Sequence, residues 1–205
     1  MPIVLLVRHA ENDYVKEHRL AGRIPNVHLN ERGKAQANLL AEYLKNFPPR
    51  AIYSSPLERA RETAECIAVF HKMAIVECEE LNEIDYGNWQ GHSLKDLRKS
   101  PLWKIVQQRP SLTQFPEGRS FAEAQQRVCL WLLEECQKFQ VKDVIFCVSH
   151  CDLIKLIVAF FIGLPLDQFQ RLNINTASVS AIRITPKKNA DLLFLNLDVS
   201  FHMKK

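Results

Sequence analysis

The stretch Met1-Pro-Ile-Val-Leu-Leu-Val-Arg-His9 decides the fold of this chain. Ile3 to Val7 is an unbroken apolar run, which is typical of a strand buried on both faces in the middle of a parallel sheet. Ligands of such sheets bind outside the carboxyl ends of the strands. Arg8 and His9 follow the run directly, so they either begin a solvated loop or bring a cation and an imidazole to an anion-binding site. This stretch alone leaves both interpretations open.

The composition predicts one globular domain over residues 1–205, since 47% of the 205 residues are hydrophobic and 24% are charged. The net charge of +4 is mild. The chain has no Lys/Arg block and no aromatic-basic stripe, so we do not expect it to bind nucleic acid. A mildly basic protein suits a small anionic substrate equally well.

The six cysteines form no Cys-x-x-Cys pair, and several fall within apolar runs. This usage predicts reduced thiols in a cytoplasmic protein, rather than disulfides or a zinc site. The first residues do not have the pattern of a signal peptide. The most apolar window, Leu153 to Leu164, contains Lys155 and is too short to cross a bilayer. We therefore expect a cytoplasmic protein with no membrane partner, no cofactor and no metal.

The alternation of strand and helix patterns predicts a three-layer α/β/α fold with a mostly parallel central sheet. Further strands are predicted at 51–53, 74–78, 144–148, 176–185 and 191–197, with a hairpin turn at 186–189. Helices are predicted at 31–46, from Ser55 onward, from Ser120 to about Phe139, and at 153–162. Residues 85–118 are irregular and are expected to form a lid or substrate wall, or else an ordinary packed insertion.

Side chains that can cap helices precede each predicted helix. Asn30 and Asp152 are expected to be N-caps. Capping boxes are expected at Ser55 with Glu58 and at Ser120 with Glu123.

Two predicted core strands that lie far apart in sequence end alike, in Arg8-His9 and in Ser149-His150. A third ends at Ser54-Ser55, and Arg59 follows within about one helical turn. If the three strands are parallel neighbours, their carboxyl ends bring Arg8, His9, Arg59 and His150 around one point. Guanidinium groups form paired hydrogen bonds with tetrahedral oxyanions, so phosphate is the expected ligand.

Two histidines beside a phosphate suggest a catalytic role as well as binding. A neutral imidazole such as that of His9 can attack phosphorus and form a phosphohistidine. Nearby arginines oppose its protonation and keep it available. The leaving alkoxide needs a proton, and Glu83, in the loop after the third strand, is the best-placed acid. Glu11, Asp85 and Asp152 compete for this role, and composition does not choose among the four.

Four motifs in this chain resemble those of the histidine phosphatase superfamily, which has the phosphoglycerate mutase-like fold. They are Val7-Arg-His-Ala-Glu11, Ser54-Ser-Pro-Leu-Glu-Arg-Ala-Arg-Glu-Thr-Ala64, Leu81-Asn-Glu-Ile-Asp-Tyr-Gly-Asn-Trp-Gln-Gly91 and Val148-Ser-His150. The resemblance implies that His9 is the phosphorylated nucleophile and Glu83 the proton donor. It also implies that Arg8, Arg59 and His150 bind the phosphoryl group. The segment 20–33 is similar to small bacterial phosphatase-type members.

The chain departs from the family pattern at several positions. Ala10 replaces the usual glycine, and Cys151 follows His150 where glycine is common. Val15 stands where many members have asparagine, which implies the loss of one polar contact to the phosphate.

The pocket mouth is expected to include Arg19, Arg23 and Trp103, and a mildly basic rim there would suit a second anionic group on the substrate. The leading hypothesis is a metal-independent phosphatase that hydrolyses the phosphate monoester of a small metabolite. Phosphoglycerate mutase-type transfer is the alternative within the same fold, and a non-catalytic module that binds a phosphate ligand is the alternative from another class. A metal-dependent hydrolase is disfavoured, because Arg8 and Arg59 would repel a cation. An unpaired edge strand near the C-terminus would permit a homodimer.

Overall fold

The computed structural model describes residues 2–185 and 190–199, which form a six-stranded sheet between two layers of helices. The strands are β1 (Ile3–Arg8), β2 (Ala51–Ser54), β3 (Ile75–Glu77), β4 (Val144–Ser149), β5 (Ser178–Ile184) and β6 (Ala190–Asp198). The helices are α1 (Asp13–Lys16), α2 (Glu31–Leu44), α3 (Glu58–His71), α4 (Leu94–Leu97), α5 (Pro101–Gln108), α6 (Phe121–Glu135) and α7 (Cys151–Phe161). Short 3₁₀ helices occur at Glu79–Leu81, Gly87–Trp89, Pro110–Leu112, Cys136–Lys138 and Leu166–Arg171. The predicted three-layer architecture is confirmed.

The strand order is β3-β2-β4-β1-β5-β6. The first four strands in this order are mutually parallel. At the other side of the sheet, β5 is antiparallel to β1, and β6 is antiparallel to β5. Arg8 pairs with Ser149, and Ser54 pairs with Val148. The carboxyl ends of β2, β4 and β1 therefore lie side by side at one edge of the sheet, as the sequence predicted.

Alternate residues of the central strands face the two helical layers, as the two-residue period of a strand requires. Leu5 and Val7 belong to the apolar cluster beneath α2 and α3, while Val4 and Leu6 belong to the cluster beneath α6 and α7. Burial on both faces explains why β1 is apolar along its whole length.

The loop that follows β1 is held against the start of α2. The Asn30 amide N–H donates to the carbonyl of Glu11 at 3.2 Å, and the Asn30 side chain accepts from the Gly33 N–H at 2.8 Å. A Cβ atom on Gly33 would lie 1.9 Å from the Glu11 carbonyl oxygen. Only glycine allows this approach, so α2 fixes the position of the loop that carries His9 and its neighbours.

Two of the predicted helix caps are wrong. The N-cap of α3 is Leu57, without a side-chain cap. The Ser55 hydroxyl accepts from the Leu57 N–H at 3.3 Å, but it also bonds to Asn82 and His150. The N-cap of α7 is His150, because the carboxylate of Asp152 accepts from Tyr86 and Lys155 instead. In both places the side chain that the sequence predicted as a local cap bonds to a partner distant in sequence.

The caps at Asn30 and at Ser120 with Glu123 are confirmed. The hairpin turn predicted at 186–189 lies outside the described residues. Within residues 2–185 and 190–199, no helix has the length and apolar character needed to span a membrane.

Candidate functional site

The carboxyl ends of the central strands open onto a cavity of about 340 Å³. Arg8, His9, Arg59 and Glu83 line it. His150 does not line it; it is fully buried, and its ring centroid is 5.2 Å from that of His9. The five residues that the sequence singled out therefore lie in one cluster, although they come from positions up to 142 residues apart, from Arg8 to His150.

The hydrogen bonding of His9 sets its tautomer. Its Nδ1 atom lies 2.7 Å from the carbonyl oxygen of Ala10. Because a carbonyl only accepts, Nδ1 must carry the proton, and in the neutral ring Nε2 has a free lone pair. Burial, together with the charges of Arg59 and Arg8, holds the pKa of His9 well below its usual value of 6.5. The imidazole is therefore neutral and nucleophilic at neutral pH.

The guanidinium of Arg59 is only partly satisfied by the protein. Its Nη2 atom donates to the Gly22 carbonyl at 2.6 Å and to Nδ1 of His150 at 3.2 Å. Its Nη1 atom is buried and has no hydrogen-bond partner among the described residues. Burial lowers the pKa of Arg59 to about 10, so the side chain still carries its charge at neutral pH. A buried cation with unpaired donors suits a bound oxyanion.

Arg8 presents a similar arrangement. Its Nη1 atom donates to the carbonyl of Ile174 at 2.6 Å, which anchors one branch of the guanidinium. Its Nε atom is buried and finds no partner within the part of the chain that the structure covers. The two arginines thus bring unpaired donors to the same cavity.

A chain of hydrogen bonds orients the His150 ring from behind. The Nε2 atom of His150 lies 2.8 Å from the hydroxyl oxygen of Ser55, whose own proton is donated to Oδ1 of Asn82 at 2.9 Å. His150 must therefore donate from Nε2, which leaves Nδ1 bare to accept from Arg59. Burial and the charge of Arg59 hold the pKa of His150 well below 6.5, so this imidazole is neutral too.

The environment of each carboxyl group distinguishes Glu83 from its competitors. Glu83 is only 8% exposed, and burial followed by the charge of Asp152 raises its pKa to about 7. Asp152 also lines the cavity, and burial opposes its ionisation. Its contacts with Lys155 at 3.1 Å and with the donating hydroxyl of Tyr86 at 2.9 Å nevertheless hold its pKa below the usual value. Of this pair, Glu83 is the carboxyl group that can carry a proton near neutral pH.

The other two competitors lie away from the cavity wall. Glu11 forms an ion pair with Arg32 at 3.1 Å. Asp85 accepts from the N–H of Gly87 at 3.0 Å within its own turn. Neither is among the residues that line the cavity.

The predicted rim is divided between the cavity and its surroundings. Arg19 and Trp103 line the cavity, whereas Arg23 does not. The Nε atom of Arg23 donates to the backbone carbonyl of Glu83 at 2.8 Å, so this arginine supports the loop that carries Glu83.

Asn12 is a cavity residue that the sequence reasoning missed. It is fully buried, its Oδ1 atom accepts from the Val15 N–H at 3.0 Å, and its Nδ2 atom has no partner in the described ranges. Val15 also lines the cavity, so an amide is present near the position where the family pattern predicted its loss. Asn12 stands three residues after His9, but nothing in the sequence indicates that its amide group turns inward.

Thr63 is a second residue that the sequence did not single out. Its hydroxyl accepts from the Ala10 N–H at 3.0 Å and donates to the Arg59 carbonyl at 2.7 Å. It joins the loop after β1 to the first turn of α3, and thereby fixes His9 relative to Arg59. Its position four residues after Arg59, on the same helix face, was the available signal.

The chain is similar to known proteins in both sequence and structure. A profile of the Histidine phosphatase superfamily (branch 1) matches residues 4–197. Phosphoserine phosphatase 1 of Hydrogenobacter thermophilus is 31% identical over 202 residues, which cover 98% of this chain and 93% of that protein. The probable phosphoglycerate mutase GpmB of Photorhabdus laumondii is 30% identical over 182 residues, covering 87% and 83% of the two chains. Among solved structures, Bacillus stearothermophilus YhfR has a TM-score of 0.88 and 26% identity, and covers 96% of this chain and 98% of its own.

Proposed function

Because this chain belongs to the histidine phosphatase superfamily and is a phosphoric monoester hydrolase, we propose that it hydrolyses small phosphate monoesters through a phosphohistidine on His9. The family and the phosphoglycerate mutase-like fold expected from the motifs are confirmed. One observation carries the proposal. The neutral His9 ring, with its Nε2 lone pair free, shares a cavity with guanidinium donors of Arg8 and Arg59 that have no partner among the described residues.

In the first step, Nε2 of His9 attacks phosphorus. A P–N bond forms while the P–O bond to the leaving alcohol breaks. Glu83, whose pKa of about 7 leaves it partly protonated at neutral pH, donates its proton to the leaving oxygen. Arg8, Arg59 and the amide of Asn12 bind the non-bridging oxygens and neutralise the charge that they carry.

In the second step, water attacks the phosphorus of the phosphohistidine. The carboxylate of Glu83 removes a proton from this water, the P–N bond breaks, and inorganic phosphate leaves. His9 returns to its neutral form with its proton still on Nδ1. The two steps together consume one ester and one water, and release one alcohol and one phosphate.

His150 acts here through Arg59, since one of its nitrogens accepts from Arg59 and the other donates to Ser55. It is therefore a positioning residue for Arg59. Direct contact between His150 and the phosphoryl group requires Arg59 to leave Nδ1, and this stays a prediction.

The proposal also includes the domain organisation, location and oligomeric state of the enzyme. The chain acts as a single domain on a small phosphorylated metabolite. A cytoplasmic location is supported by its six cysteines, all of which are free thiols. A homodimer would use the outer edge of β6, which is the last strand in the order of the described sheet.

Trapping of the phosphoenzyme tests the mechanism. Wild-type protein quenched during turnover of a ³²P-labelled monoester should carry acid-labile, base-stable label on His9. His9→Asn should lose both label and turnover, whereas His28→Asn should keep both, because His28 is exposed and bonds Glu62 away from the cavity. Turnover in His9→Asn at the wild-type rate would refute the mechanism.

A further inference from the structure

Beyond the phosphate-binding residues, the cavity wall is aromatic and apolar. The side chains that form this wall are Leu20, Tyr86, Trp89, Leu94, Trp103, Val106, Phe115 and Phe121. Most of them come from residues 85–118, the stretch that the sequence marked as a lid or substrate wall. We call them the aromatic wall.

The aromatic wall is held rigidly by contacts between its own rings. Trp89 and Trp103 stack with a centroid distance of 6.1 Å and an interplanar angle of 18°. Phe115 meets Trp89 edge-on at 5.3 Å and packs on Phe121 at 5.2 Å. Since these rings already occupy fixed positions, a flat apolar group could bind against them without further ordering of the protein.

The charged residues of the cavity do not favour a second anion on the substrate. Among the described residues, the lysine and arginine side chains that line the cavity, apart from Arg8 and Arg59, are Arg19 and Lys155. Arg19 donates twice to the Gly91 carbonyl, at 3.1 and 2.9 Å, and also contacts Glu17, while Lys155 is paired with Asp152 at 3.1 Å. Each of these cations already has a protein partner.

The other charged or titratable groups in the lining, besides His9 and Tyr86, are Asp152, Glu83, Cys151 and His18. Asp152 is ionised and would repel a substrate carboxylate placed deep in the cavity, whereas Glu83 is neutral in the form that donates its proton and so cannot pair with one. His18 also lines the cavity and is exposed. Among the described lining residues, Arg8 and Arg59 are thus the lysine or arginine side chains left to bind an anion, and both are assigned to the phosphoryl group. None remains for the carboxylate of an amino acid or a hydroxy acid.

We propose that the leaving group of the preferred substrate is an uncharged alcohol with an aromatic or other flat apolar substituent, seated against the aromatic wall. This rests on the proposed phosphatase function and narrows it. It separates the chain from an enzyme whose substrate carries a carboxylate next to the ester, such as phosphoserine.

The test compares esters that lose a similar primary alkoxide, so that differences report binding rather than leaving-group chemistry. We expect kcat/KM for 2-phenylethyl phosphate to exceed the values for O-phosphoserine and 3-phosphoglycerate by about tenfold or more. Preference for either anionic ester would overturn the inference and leave the phosphatase function intact. Absence of hydrolysis of every ester, including an aryl phosphate, would refute the phosphatase function and this inference with it.

Variants on α5 separate substrate binding from folding. Trp103→Ala should raise KM for 2-phenylethyl phosphate about tenfold more than KM for ethyl phosphate, because ethyl phosphate lacks the ring that would contact the indole. Trp103→Phe should retain most of the preference. Ile105→Ala is the matched control, since Ile105 lies on the same helix and does not line the cavity. Equal loss on both esters in Trp103→Ala would show a merely structural role and contradict the proposal.

Discussion

The Nη2 atom of Arg59 lies 3.2 Å from Nδ1 of His150, so a guanidinium donates to a neutral imidazole at the back of the site. With Gly22 accepting from the same nitrogen, both Nη2 protons are used, and Nη1 is the group left for a ligand. The orientation of Arg59 therefore depends on the tautomer of His150, which in turn depends on Ser55.

Ser55→Ala should lower kcat by about tenfold, because it leaves the buried Nε2–H of His150 without an acceptor, and such a loss costs about 1–3 kcal/mol. Ser55→Thr keeps the hydroxyl and should recover most of the activity. Steady-state kinetics on a single ester, with melting temperatures for both variants, would check this. Equal activity in Ser55→Ala and wild type would remove Ser55 from the positioning chain.

Glu83→Gln should slow the hydrolysis of alkyl phosphates about 100-fold or more, within the usual range for general acid catalysis. The rate of the phosphorylation step should fall less for aryl phosphates, because a phenolate leaves with little protonation. The ratio of single-turnover rates for an alkyl and an aryl ester measures the effect. Asp85→Asn is the matched control in the same loop, and the proton-donor role fails if both esters lose equally in Glu83→Gln.

The pH profile should follow the ionisation of Glu83. Burial raises its pKa to about 7, and only its protonated form can act as the acid. We therefore expect kcat/KM for an alkyl ester to fall above about pH 7, by about tenfold per unit. His9 remains neutral across this range, because its pKa is well below 6.5. In Glu83→Gln the fall should disappear, and its persistence would assign it to another group.

Asn12→Asp should weaken the inhibition by inorganic phosphate about tenfold or more, since one good charge-assisted hydrogen bond contributes about 1.5–3 kcal/mol. The aspartate keeps an oxygen that can accept from the Val15 N–H, so α1 retains its cap. It loses the Nδ2 donors that are unpaired among the described residues. An unchanged inhibition constant would place the amide outside the phosphate contacts.

Gly33→Ala should destabilise the protein by about 1–3 kcal/mol, because the added methyl group collides with the carbonyl of Glu11. Chemical denaturation measures this change. Lys34→Ala is the neighbouring control; it removes an exposed ion pair with Glu31 and should change stability by less than about 1 kcal/mol. A tolerated alanine at 33 would show that the loop after β1 can shift.

The sequence alone was enough to predict which side chains lie together at the carboxyl ends of the central strands. Unbroken apolar strands must be central, and the ends of central parallel strands must meet, so Arg8, His9, Arg59 and His150 could be placed together before any coordinate was known. The same local reasoning failed at Ser55 and Asp152. Both were expected to cap helices, and both are drawn into long-range hydrogen bonds that no local pattern encodes.

By itself, then, the sequence determined the three-layer fold and the grouping of Arg8, His9, Arg59 and His150, because strand periodicity and strand ends are local properties of the chain. Only the tertiary structure decided which carboxyl group can hold a proton, which nitrogen of His9 is free, and that the amide of Asn12 faces the cavity. It also showed that much of the cavity wall is aromatic and that Arg19 and Lys155 already have protein partners. These depend on burial and on partners distant in sequence, and so they exist only once the chain has folded.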